Sequence, residues 1–142
     1  MEKLNSVLFY SIEKAIKTYR QFAQKELKKA GLTITVDQWL TLKCLFDNPD
    51  ISQKELAEMV FKDTASITRI IDLLVNARYL KKTAHKEDKR KSNLTITEHG
   101  LETIEFAEKV VENYRKVALK GIGIAKEDHV NAVMKTIINN CQ

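Results

Sequence analysis

The sequence predicts a mainly α-helical protein interrupted once, past its middle, by a small β-hairpin. Three observations predict it. The 142 residues include one Pro and four Gly, too few breakers for a sandwich or barrel with its many turns. Apolar residues recur three and four positions apart along most of the chain, the period of an amphipathic helix. Residues 79–97 drop that period and alternate apolar with polar instead.

Composition bounds the rest. At 44% hydrophobic and 30% charged residues the chain reads as folded, and its length suits one domain. A net charge of +5 suggests an anionic partner, whether nucleic acid, acidic lipid or acidic protein. No apolar run approaches the roughly 18 residues of a membrane span. The start, MEKLNSVLFYSIEK, lacks the apolar core of a signal peptide, so the expected location is the cytoplasm. Cys44 and Cys141 form no CxxC pair and sit among apolar neighbours; they are read as buried free thiols, with redox sensing the alternative. His85, His99 and His129 share no metal-ligand spacing. No nucleophile stands beside a base, no glycine loop cradles phosphate, and no cofactor is implied, so an enzyme is not expected.

In order along the chain, residues 4–29 carry Leu4, Leu8, Ile12, Tyr19, Phe22, Ala23 and Leu27 at helical spacing, and Gly31 stops them. A second helix starts near Thr35 and closes at the turn DNPD, 47–50. Ser52 with Glu55 three residues on reads as a capping box for a short third helix. Asp63 or Thr64 caps a fourth, with Ile67, Ile70, Ile71, Leu74 and Val75 on its inner side. This pair fits a helix-turn-helix or a generic helical hairpin, and spacing alone leaves both open. Tyr79–Thr83 and Ser92–Thr97 read as two strands, with 84–91 as the loop between them. Thr97 caps a long helix, Gly121 and Gly123 interrupt it, and a last helix covers about 126–140.

The hairpin holds most of the excess charge. Lys81, Lys82, Lys86, Lys89, Arg90 and Lys91 stand against Glu87 and Asp88, which leaves four of the chain's five excess positive charges on residues 81–91. Such clustering beside a helix-turn-helix candidate is what a duplex backbone selects, because each cation that neutralises a phosphate releases a counterion. Lysines that protect an exposed strand edge are the bland reading.

The pattern D-x-R-x-x-x-L-x-I-T from Asp88 to Thr97, preceded by TRIIDLLVNARYL at 68–80, resembles the MarR family of bacterial winged helix-turn-helix transcriptional regulators. The resemblance covers nearly the whole chain. It implies a single MarR-like domain over 1–142, with a winged-helix DNA-binding lobe at 32–97 and dimerisation helices at 1–31 and 98–142. Arg78 departs from it, standing where the family usually has a Gly suited to a left-handed C-cap.

The resemblance implies a sequence-specific DNA-binding regulator, most simply a repressor that reads a pseudopalindromic operator as a homodimer. Arg90 would enter the minor groove, where a guanidinium suits narrow A·T-rich sequence. Asp88 would orient it or simply accept a turn N–H, and Lys86, Lys89 and Lys91 would meet phosphates. On the fourth helix Thr64, Ser66, Thr68 and Arg69 are candidates for base and phosphate contacts, with Ser52 and Gln53 as phosphate candidates before it. Effectors in the family are often small aromatic molecules held between the two lobes. Tyr10, Tyr19, Phe22 and Trp39 could line such a cleft, though aromatics at this spacing also make core. The alternative function is a winged-helix protein-interaction module whose basic wing meets an acidic protein.

Overall fold

In the computed structural model, which describes residues 1–84, 87 and 92–142, the path of the chain is set by how its helices stop. The first helix, α1 (Leu8–Lys29), runs into Gly31 at φ 86°. The Leu32 N–H donates to the Leu27 carbonyl at 3.1 Å and the Gly31 N–H to Lys28 at 3.0 Å. This doubled closure needs a left-handed residue just past the cap. Two later helices, α3 (Gln53–Met59) and α4 (Thr64–Asn76), close in the same way without glycine. Phe61 takes φ 60°, with Lys62 N–H on the Ala57 carbonyl at 2.8 Å. Arg78 takes φ 66°, with Tyr79 N–H on Leu74 at 3.0 Å. Arg78 therefore keeps the geometry that a glycine would adopt freely.

A side chain in that region costs about 1–2 kcal/mol, and a glycine returns about 0.5–1 kcal/mol through its freedom in the unfolded chain. Phe61→Gly and Arg78→Gly are each expected to raise stability by about 0.5–1 kcal/mol in urea titrations at fixed chain concentration. A fall in either would show that the side chain makes contacts worth more than the strain.

The remaining elements are a 3₁₀ turn at Leu4–Ser6, α2 (Val36–Asp47), β1 (Leu80–Ala84), β2 (Ser92–Ile96), α5 (Glu98–Ala118) and α6 (Ile124–Cys141). The first helix starts later than its apolar spacing suggests, because Val7 is extended and offers no side-chain cap. The two-way capping box sits at α2, where Thr35 Oγ1 accepts from Gln38 N–H at 3.1 Å and Gln38 Oε1 accepts from Thr35 N–H at 2.9 Å. Ser52 caps α3 one way, through Glu55 N–H at 3.1 Å. Asp63 rather than Thr64 caps α4, accepting Ser66 N–H at 2.7 Å, and that bond holds its carboxyl below the ordinary range. The first strand begins at Leu80, one residue later than expected, because the Tyr79 N–H is spent on closing α4.

The strands are antiparallel, with Leu80 opposite Ile96 and Lys82 opposite Leu94. Leu80 is buried, and Leu94 and Ile96 pack on the core. That core is one cluster: Leu42 and Leu45 from α2, Leu56 from α3, Ile67, Ile71 and Leu74 from α4, joined by Ala23 and Leu27 of α1 and by Ile104, Ala107 and Val111 of α5. Each fully buried aliphatic side chain contributes about 1.5–3 kcal/mol. The architecture is a winged helix-turn-helix (α2, α3, α4 and the hairpin) flanked by helices from both ends of the chain. The last helix, α6, has no buried residue. Cys141 in its final turn is exposed, which corrects its reading as a buried thiol; Cys44 is buried as expected.

Candidate nucleic-acid interface

The short helix α3 and its successor α4 are braced by Gln53 and Thr68, two of the candidate contact residues. Gln53 Nε2 donates to Thr68 Oγ1 at 2.8 Å, and Thr68 Oγ1 donates to the Thr64 carbonyl at 2.8 Å. The Thr68 hydroxyl thus gives its proton to its own helix and accepts from the neighbouring one, so Gln53 and Thr68 hold the angle between α3 and α4. Thr64 and Arg69 are exposed and Ser66 is half-buried near the start of α4. Ser52 is exposed at the start of α3, with its Oγ accepting the cap bond from Glu55 N–H. Thr64, Ser66 and Arg69 therefore lie in the first half of α4, next to the turn, and Ser52 at the opposite end of α3.

The wing is anchored at its base. Thr97 Oγ1 accepts Gly100 N–H at 3.0 Å and donates to the Arg78 carbonyl at 2.6 Å, with the Tyr79 carbonyl 3.2 Å away. The Thr97 N–H also donates to the Tyr79 carbonyl, at 3.1 Å. The Tyr79 ring stacks on His99 at 4.8 Å. One threonine thus joins the residues that close α4, the return strand and the start of α5. The tip residues Lys86, Asp88, Lys89, Arg90 and Lys91 lie outside the described residues.

Sequence spacing missed a polar seam that joins α1 and α2 to the turn before α4. Arg20 of α1 pairs with Asp37 Oδ1, and Lys62, in the turn before α4, pairs with Asp37 Oδ2 at 3.0 Å. Burial pushes the Asp37 carboxyl up, but hydrogen bonds from Lys62 and Arg20 outweigh it and hold the group below its ordinary value. Partners this far apart in the chain leave no local pattern to find.

The aromatic residues divide. Tyr10, Tyr19 and Phe22 line an open cleft of about 810 Å³, with Lys14 of α1 and Val117 and Ala118 of α5. Tyr19 and Phe22 also meet Tyr114 edge-on, at 5.8 and 6.3 Å. Burial, with Tyr19 beside it, pushes the Tyr114 phenol up to about 12. Trp39 does not join them. It is 2% exposed in the central core and is not among the residues that line this cleft. Burial, then the charge of Asp47, raises the Cys44 thiol, whose Sγ lies 3.6 Å from Met59 Sδ. Among the described residues no cluster of His, Cys, Asp and Glu is arranged to hold a metal ion. No described helix is long and apolar enough to cross a membrane.

Residues 34–92 match the model of the MarR family. The HTH-type transcriptional repressor IacR of Pseudomonas putida is 25% identical over 134 residues, covering 94% of this chain and 79% of IacR. A mutant MarR of Escherichia coli complexed with operator DNA has a TM-score of 0.84 at 18% identity, over 96% of this chain and 99% of that one. BpsR of Bordetella bronchiseptica, whose DNA binding is regulated by 6-hydroxynicotinic acid, has a TM-score of 0.86 at 17% identity, over 96% of both chains.

Proposed function

We propose that this chain, whose residues 34–92 match the MarR family model, is a winged helix-turn-helix transcriptional regulator that acts as a homodimeric repressor on a pseudopalindromic operator. The observation that carries this reading is a helix-turn-helix whose α4 exposes Thr64 and Arg69, followed in the sequence by a segment, 81–91, that bears four of the five excess positive charges. In this reading α4 enters the major groove, with Thr64, Ser66 and Arg69 on bases and phosphates. Ser52 meets the backbone, and Gln53 and Thr68 serve by holding the helix pair. The wing residues Lys86, Lys89 and Lys91 neutralise phosphates, and Arg90, oriented by Asp88, enters the minor groove.

Residues 1–31 and 98–142 supply the dimer. Apolar side chains stand in water along three helices: Leu8, Phe9 and Ile16 on α1, Val117 on α5, and Ile124, 78% exposed, on α6. A second copy would cover them, and a two-fold dimer sets two recognition helices about 34 Å apart. IacR's role supports repression, and the Tyr10–Tyr19–Phe22 cleft with its Lys14 suits a small aromatic effector with an acidic group.

The test is selection of bound duplexes from a random pool at stated salt. A pseudopalindrome is expected. On the selected duplex Arg90→Ala should weaken binding by about 1–3 kcal/mol and relax A·T preference at the flanks. Lys86→Ala and Lys89→Ala should weaken all sequences alike, each lowering the salt slope by about one. A pool that yields no consensus, with Arg90→Ala as tight as the parent, would sink the reading and return the basic hairpin to a protein-binding or solubility role.

A further inference from the structure

The polar seam reaches from the dimerisation helices to the recognition helix. Arg20 and Gln24 sit one turn apart, on one face of α1. Gln24 takes both sides of the backbone that leads into α2: its Nε2 donates to the Ile34 carbonyl at 3.3 Å, and its Oε1 accepts the Val36 N–H at 2.9 Å. Arg20 takes Asp37, the next residue. Asp37 spends its other oxygen on Lys62, which directly precedes Asp63, the cap of α4. Lys62 is also held through its backbone, its N–H lying 2.8 Å from the Ala57 carbonyl in the strained turn at Phe61. The first turn of the recognition helix is therefore tied by one carboxylate to a helix outside the winged lobe. Ion pairs this exposed contribute little to stability. They nevertheless fix a geometry when two cations from different elements converge on the two oxygens of a single side chain.

We propose that Asp37 is a positioning residue: by holding Arg20 and Lys62 on its two oxygens it sets the attitude of the recognition helix relative to α1. The helix that supplies Arg20 also supplies Tyr10, Tyr19 and Phe22 to the open cleft, so a molecule seated there acts on the element to which the recognition helix is tied. The inference rests on the DNA-binding reading for its second measurement only.

The experiment compares the parent with Arg20→Gln, Asp37→Asn and Lys62→Met, all in the full chain. The first measurement is hydrogen exchange of the Phe61, Lys62 and Ser66 amides in the free protein, read by NMR. All three variants should speed exchange there by about threefold to fivefold, and Arg20→Gln combined with Lys62→Met should be no worse than either alone. The second is affinity for the duplex that the parent selects and for a mixed-sequence duplex of equal length. The ratio of the two should fall by about threefold to fivefold in each variant, through loss of the selected duplex. Three results overturn the proposal. Arg20→Gln could leave the turn amides unchanged. Its effect could spread equally to the amides of α5, which is general loosening. Asp37→Asn could tighten both duplexes alike, making Asp37 only a mask over the Lys62 charge. If the parent prefers no duplex, the DNA reading falls, and the exchange comparison decides on Asp37 by itself.

Discussion

Replacing Trp39 with alanine is expected to remove about 3–5 kcal/mol of stability, the range for truncating a buried Trp to Ala. The indole is 2% exposed and belongs to the single core cluster built by α1 to α5 and the hairpin. Its loss leaves a cavity in a close-packed core, where the Gln53–Thr68 bond that ties α3 to α4 resists collapse. The measurement is urea unfolding at fixed chain concentration, followed by far-ultraviolet circular dichroism, because the substitution deletes the chain's single Trp. Tyr10→Ala is the contrast. Tyr10 lines the open cleft and belongs to no buried cluster, so its loss should cost far less stability while altering the response to an aromatic acid. A Trp39→Ala protein within 1 kcal/mol of the parent, well below the core-truncation range, would mean that the indole is not the core residue described above.

Trp39 also shows where sequence reading reaches its limit. Its spacing with Leu42 and Leu45 marks it as apolar and helical, but not which of two neighbours that face meets. Tyr10, Tyr19 and Phe22 share its chemistry and its period, yet they stand over an open cleft that α1 forms with the end of α5. The helices themselves were legible because each is amphipathic, and their starts because Thr35, Ser52, Asp63 and Thr97 announce themselves within three residues. Their stops were legible only where glycine stands, as at Gly31. At Arg78 the resemblance marked a position where glycine is usual but left the turn geometry open; at Phe61 nothing in the residue's chemistry announced the left-handed cap. In the candidate interface, Thr68 and Gln53 were noticed for their polarity, but polarity does not reveal that each satisfies the other. The Arg20–Asp37–Lys62 seam was invisible for a related reason: long-range ion pairs depend on which helix faces which, and that depends on the whole packing.

Gly100→Ala should cost about 3 kcal/mol, near the upper end for overpacking, and should damage the wing more than the rest of the fold. A methyl group on Gly100 would lie 2.2 Å from the Tyr79 carbonyl oxygen, 3.1 Å from its carbon and 2.8 Å from the Ile96 side chain. The first two obstacles are backbone, so a rotamer change cannot relieve them. The carbonyl must move, and it is the acceptor for the Thr97 N–H at 3.1 Å, a bond worth about 1 kcal/mol when broken. Against this, alanine is a better helix former by about 1 kcal/mol, so the overlap decides the sign. Tyr79 precedes the first strand and Ile96 ends the second. Relief of the clash therefore tilts both strands at their base, and a small rotation there becomes a larger displacement at the far end of the hairpin. Duplex affinity should fall further than stability does, with A·T preference at the flanks lost as in Arg90→Ala. Thr97→Ser is the control, since it keeps the cap and its hydroxyl and adds no atom near Tyr79. The measurements are an unfolding midpoint and a salt series of binding isotherms for both variants. If Gly100→Ala unfolds like the parent and binds as tightly, the approach of α5 to Tyr79 does not seat the wing.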